Sequence, residues 1–90
     1  MAQDPDLTLY VAAEEELAAA CTMGWRALAS VTPWGDTYEG FVPGGRAVLI
    51  ERNYIWKTEE GGDILVEIAV YPGPSRYDSA ARASRVIEKG

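Results

Sequence analysis

The sequence predicts one α+β domain: a small, mostly antiparallel sheet of four to five strands, one helix packed on a face and a second helix at the C-terminus. Three observations predict it. Residues 12–23 are almost unbroken Ala, Glu and Leu, the composition of a helix. Residues 46–58 and 63–71 are rich in β-branched, aliphatic and aromatic side chains, and the second stretch alternates with a period of two. Pro43-Gly44-Gly45 and Glu59-Glu60-Gly61-Gly62 punctuate these stretches as turns. Ninety residues hold one domain at most, here residues 1–90.

Residues 1–6 are polar and are expected to fray. Leu7–Val11, Leu-Thr-Leu-Tyr-Val, reads as a first strand because Thr, Tyr and Val sit together. The alternative is the start of a helix, capped by Asp4 or Asp6 with Pro5 near its beginning. From Ala12 to Met23 a helix is expected, with Glu14, Glu15 and Glu16 near its positive end and Ala13, Leu17, Ala20 and Cys21 on one face. Gly24 fits the position just past a helix end, where a left-handed backbone is cheap only without a side chain. Trp25 then opens an alternating stretch to Thr32, expected as a strand. Its indole folds back over the small Ala and Cys side chains of the helix, a core role.

Pro33-Trp34-Gly35-Asp36 reads as a turn and Thr37–Val42 as a short irregular strand. In the long strand 46–58, Val48, Ile50, Tyr54 and Trp56 share a face with Arg52. In the strand 63–71, Ile64, Val66, Ile68 and Val70 form the buried side. Pro72-Gly73-Pro74 ends the sheet. Residues 75–90 are expected as a terminal helix, capped by Ser75 or Asp78, with a weak apolar face that packs loosely or docks on a partner.

Composition excludes several chemistries. With one cysteine and no histidine, the chain alone builds neither an ordinary zinc site nor a Ser-His-Asp or Cys-His arrangement. No metal and no cofactor is expected. The net charge of −6 opposes direct nucleic-acid binding. Residues 1–71 hold twelve acids and four bases, whereas residues 72–90 hold four bases and two acids. No apolar run approaches the ~20 residues of a bilayer span, so no membrane partner is expected. The lone Cys21, a small buried hydrophobe in this reading, points to a reducing, cytoplasmic setting.

The most informative surface is residues 33–45, PWGDTYEGFVPGG. Trp34, Tyr38 and Phe41 stand among glycines and prolines with Asp36 and Glu39, the kind of aromatic cluster that anchors protein interfaces. The plainer expectation is a hairpin whose aromatics fold back onto the sheet. Asp36, Glu39, Glu51 and Glu67 would make an acid–base pair only if brought together in a cleft, which a domain this small rarely builds. Glu14–Glu16 with Glu59–Asp63 would make a nucleic-acid-like acidic patch. Tyr54 and Trp56 with Arg46 and Arg52 would be a base-stacking face, against the overall acidity.

A Glu-rich helix, then Gly24-Trp25, an apolar stretch with Leu28 and Val31, then Val48-Leu49-Ile50 with Arg52 resembles the small bacterial and phage domains of unknown function called DUF4177. The resemblance spans about residues 13–52. It implies a small fold and no reaction. Arg26 stands where those domains usually carry Glu.

The function expected from all this is non-catalytic protein binding, with Trp34, Asp36, Tyr38, Glu39 and Phe41 as the contact residues. Such a domain suits a phage or bacterial accessory protein that inhibits a host complex. A self-associating homodimer is the alternative, and a carboxylate-based enzyme the third.

Overall fold

The computed structural model describes residues 5–72 and 80–90. Two helices, α1 (Pro5–Cys21) and α2 (Gly24–Ala29), precede four strands: β1 (Trp34–Phe41), β2 (Ala47–Trp56), β3 (Ile64–Tyr71) and β4 (Ala81–Ile87). The strands form one antiparallel sheet in sequence order, β1-β2-β3-β4, so β1 and β4 are its two edges. This is the small α+β domain the sequence predicts, with α1 packed over β3 and β4.

The helix starts seven residues earlier than its composition suggests, and Leu7–Val11 is helix rather than strand. The reason is tertiary. Leu9, Ala13, Leu17 and Ala20 are all buried and recur at helical spacing, so one continuous stripe meets the sheet. Burial of Leu9 on that stripe overrides the β preference of Thr8, Tyr10 and Val11. The fraying expected of residues 1–6 is replaced at Pro5 and Asp6 by the first helical turn, while residues 1–4 lie outside the described residues.

Gly24 does take a left-handed backbone, φ +79°, as its place after α1 requires. The next stretch is not the expected strand. Residues 24–29, Gly-Trp-Arg-Ala-Leu-Ala, form the short helix α2. Its residues other than Gly24 and Trp25 are good helix formers, and Trp25, Leu28 and Ala29 share an i, i+3, i+4 face. Leu28 is fully buried, and Trp25 and Ala29 pack against the core. The core role of Trp25 holds, and its indole Nε1 donates to the Gly62 carbonyl at 2.8 Å, tying α2 to the β2–β3 hairpin.

The turn expected at Pro33–Asp36 is absent. After a cis Thr32–Pro33 peptide the chain enters β1 at Trp34, and all eight β1 residues pair with β2, from Trp34↔Tyr54 to Phe41↔Ala47. The Pro43–Gly45 turn is present, with φ +100° at Gly44 and +85° at Gly45, values that a side chain would oppose. β3 is the centre of the core: Ile64, Val66, Ile68 and Val70 are at most 1% exposed, as their alternation predicts.

The C-terminal helix expected over 75–90 is corrected to strand β4 over Ala81–Ile87, with residues 73–79 outside the described residues. Here the small apolar residues Ala81 and Ala83 are buried and alternate with exposed Arg82 and Ser84, a period of two. Pairing with β4 gives the β3 backbone a ladder on both sides, and the small side chains of β4 let α1 approach closely.

Candidate functional site

Alternation along β1 divides the five expected contact residues between the two faces of the sheet. Trp34, Asp36 and Tyr38 lie on the helix-bearing face and are half-buried, opposite Tyr54, Arg52 and Ile50 of β2. Glu39 and Phe41 lie on the other face and are exposed, Phe41 at 75%. Residues 34–41 of this segment are therefore an edge strand. Its aromatics do not form one patch.

The inward three are organised by a residue that the contact set omits. Arg52 reaches across from β2 and grips Asp36 with both arms of its guanidinium, Nε to Oδ1 at 2.8 Å and Nη2 to Oδ2. The same guanidinium lies 5.1 Å from the Trp34 ring centre and 4.8 Å from that of Tyr38. Trp34 in turn rests on Tyr54, ring centres 4.8 Å apart and tilted by 33°. The Tyr38 hydroxyl donates to Glu16 Oε1 on α1 at 2.6 Å. One arginine, flanked by two rings and held by a carboxylate, thus fastens the edge strand to β2, and Tyr38 fastens it to α1. The sequence signal was an arginine at the centre of an otherwise apolar strand face, which demands an anionic partner.

Electrostatics reflect these contacts. The hydrogen bonds from Arg52 hold the Asp36 carboxyl below its ordinary range, against the smaller opposing effect of burial. The same bonds push the Arg52 guanidinium still further from deprotonation. Burial, and then the hydrogen bond to Glu16, raise the Tyr38 hydroxyl to about 12. Burial also raises Tyr54.

The four carboxylates considered for acid–base work are scattered. Asp36 is paired with Arg52 on the helix-bearing face, Glu39 sits at the β1 edge of the opposite face, and Glu51 and Glu67 lie on β2 and β3 of that face. Glu51 and Glu67 do border one shallow dimple of about 190 Å³, floored by Ala69 and closed by Asn53, Arg82 and Ser84. Glu51 there accepts a hydrogen bond from the Tyr71 hydroxyl at 3.2 Å. Within the acidic runs, Glu16 is engaged by Tyr38, and Asp63 accepts from the Lys89 backbone N–H at 3.0 Å. The base-stacking arrangement that the acidity opposes also lacks its tyrosine: Tyr54 is 5% exposed beneath Trp34, so its ring offers no free surface.

Among the described residues, no helix is long and apolar enough to cross a membrane. The chain matches no family model, no curated protein and no solved structure. These comparisons therefore speak neither for nor against the resemblance to DUF4177.

Proposed function

We propose that this chain is a small, non-catalytic protein-binding domain that takes its partner along the β1 edge. The observation that carries this reading is Phe41. It is an aromatic ring left 75% exposed at the end of an edge strand, with exposed Glu39 two residues before it on the same face. An edge strand offers main-chain donors and acceptors to an incoming strand, and an exposed ring beside it supplies an anchor. Trp34, Asp36 and Tyr38 serve in this reading mainly by holding the strand rigid, so that little ordering cost falls on binding. Glu39 sets the orientation of a basic side chain on the partner. The lone Cys21 favours a cytoplasmic setting, and a phage or bacterial accessory role, including inhibition of a host complex, is compatible with this mode of capture.

The test compares the wild type with Phe41→Ser and Glu39→Lys as bait in extract of the source cell. Thermal melting confirms that the variants are folded. The reading expects a discrete partner that the wild type retains and both variants lose. Equal retention by all three would overturn it.

A self-associating homodimer is the second reading, favoured by two sheet edges, β1 and β4, that carry no further strand among the described residues. Two copies related by a two-fold axis can pair β1 with β1, or β4 with β4, antiparallel and so close a homodimer. Light scattering distinguishes the two readings, because the first expects a monomer until a partner is added.

A further inference from the structure

The outer face of α1 carries a second apolar stripe, independent of the β1 edge. Leu7, Tyr10 and Val11 are 61%, 49% and 49% exposed, although they belong to a helix whose opposite face is buried in the core. With Ala18 and the aliphatic stems of Glu14 and Glu15 they line a wide, open apolar depression of about 420 Å³. Leu7, Tyr10, Val11 and Ala18 stand at i, i+3, i+4 and i+11 along roughly 16 Å of helix, with Glu14 at i+7 on the same line and Glu15 beside it. Sites of this shape receive an amphipathic helix by its apolar face.

Charge selects the occupant. α1 from Pro5 to Cys21 contains Asp6, Glu14, Glu15 and Glu16 and no Lys or Arg. Glu16 is engaged by Tyr38, whereas Glu14, in line with the depression, and Glu15, at its side, make no ion pair among the described residues. A second copy docked stripe to stripe would bring Glu14 and Glu15 of both chains together with no cation on either helix to offset them. A segment with Lys or Arg beside its apolar seam meets the same carboxylates favourably. We infer that the outer face of α1 is a docking groove for a basic amphipathic helix of about three turns on a partner protein. Leu7, Tyr10 and Val11 form its apolar floor and Glu14 and Glu15 its charge selector.

The probe is a labelled Leu/Lys amphipathic peptide of about 18 residues, long enough to span the seam, with a Leu/Glu peptide of the same pattern as its counterpart. Fluorescence anisotropy of the full chain is expected to show one-to-one binding of the Leu/Lys peptide and none of the Leu/Glu peptide. The variant Leu7→Ser/Val11→Ser is expected to bind about tenfold more weakly or worse, because it removes two anchors from the floor. Tyr10→Ser serves in its place if the double variant melts early. Glu14→Gln/Glu15→Gln is expected to weaken binding several-fold and to flatten its salt dependence. Phe41→Ser should bind as the wild type does, which separates this groove from the β1 edge. Undiminished binding by the Leu7→Ser/Val11→Ser variant would overturn the inference, since the net charge of −6 would then suffice. So would a wild-type dimer in sedimentation that this variant dissolves, because the occupant would then be a second copy.

Discussion

Replacing Arg52 with Met keeps the aliphatic stem between Trp34 and Tyr38 and removes the guanidinium. The side chains of Arg52 and Asp36 are 29% and 33% exposed, so solvent screens the pair and it contributes about 0.5–1 kcal/mol. Each ring contact, at 5.1 and 4.8 Å, adds about 0.5–1 kcal/mol at such partly exposed sites. The sum predicts a loss of about 2 kcal/mol, the range being roughly 1.5–3. For a domain of this size that lowers the melting temperature by roughly 10 °C. The assay is urea unfolding followed by tryptophan fluorescence, run for Arg52→Met, Asp36→Asn and the double variant. The double-mutant cycle isolates the ion pair, with an expected coupling of about 0.5–1 kcal/mol that shrinks in high salt. The ring contacts account for the remainder and should survive salt. If Arg52→Met stays within about 0.5 kcal/mol of the wild type, the reasoning fails, and β1 is held by its backbone ladder, the Trp34–Tyr54 contact and the Tyr38–Glu16 bond without help from the guanidinium.

The same geometry predicts other outcomes. Asp36 has a depressed carboxyl, so its contribution is present above about pH 4, the ordinary Asp range, and is lost as the pH falls through its lower folded value. Asp36→Asn should flatten that acid limb of a stability–pH profile. Tyr38 is raised to about 12, so its contribution is full below about pH 10 and is lost as the pH climbs toward 12. Tyr38→Phe should lose about 1 kcal/mol at neutral pH through the bond to Glu16 and should soften the alkaline limb. Leu28→Ala, at a position with no exposure, should cost about 2–5 kcal/mol in urea unfolding and show that α2 belongs to the core. Ending the chain at Ala80 removes β4 and leaves one side of β3 unpaired along its length, so circular dichroism should report an unfolded or aggregated chain.

The elements legible in the sequence were those on which burial and local preference agreed. β3 could be read because Ile64, Val66, Ile68 and Val70 recur with a period of two and are all β formers. The core of α1 could be read because Ala and Glu favour helix and Ala13 and Leu17 fall on one stripe. Errors gathered where the two conflicted. Leu7–Val11 looks like a strand by propensity, but its Leu9 is needed to extend the helical stripe. Residues 81–87, rich in Ala and Arg, look helical by propensity and become a strand because the open edge of β3 needs a ladder. The short α2 was hidden by an accident of spacing. Trp25, Ala27, Ala29 and Val31 alternate as in a strand, whereas Trp25, Leu28 and Ala29 are what the core uses.

The contact residues were half legible. Their aromatic and acidic character marked the segment, but the face that each would occupy depends on register. Once β1 pairs Asp36 with Arg52, parity alone sends Trp34 and Tyr38 inward and Glu39 and Phe41 outward. Arg52 was the clue to that register, being a charge on the apolar side of β2.

Binding along the β1 edge is tested without intermediaries by photocrosslinking in the source cell, with a benzophenone amino acid placed in turn at positions 39, 41 and 67. The three share one face of the sheet, but 39 and 41 lie on the β1 edge and 67 on the central strand β3. Capture at the edge predicts one discrete protein adduct from 39 and 41 and none from 67. No adduct at either edge position, or the same adduct from 67, would contradict it.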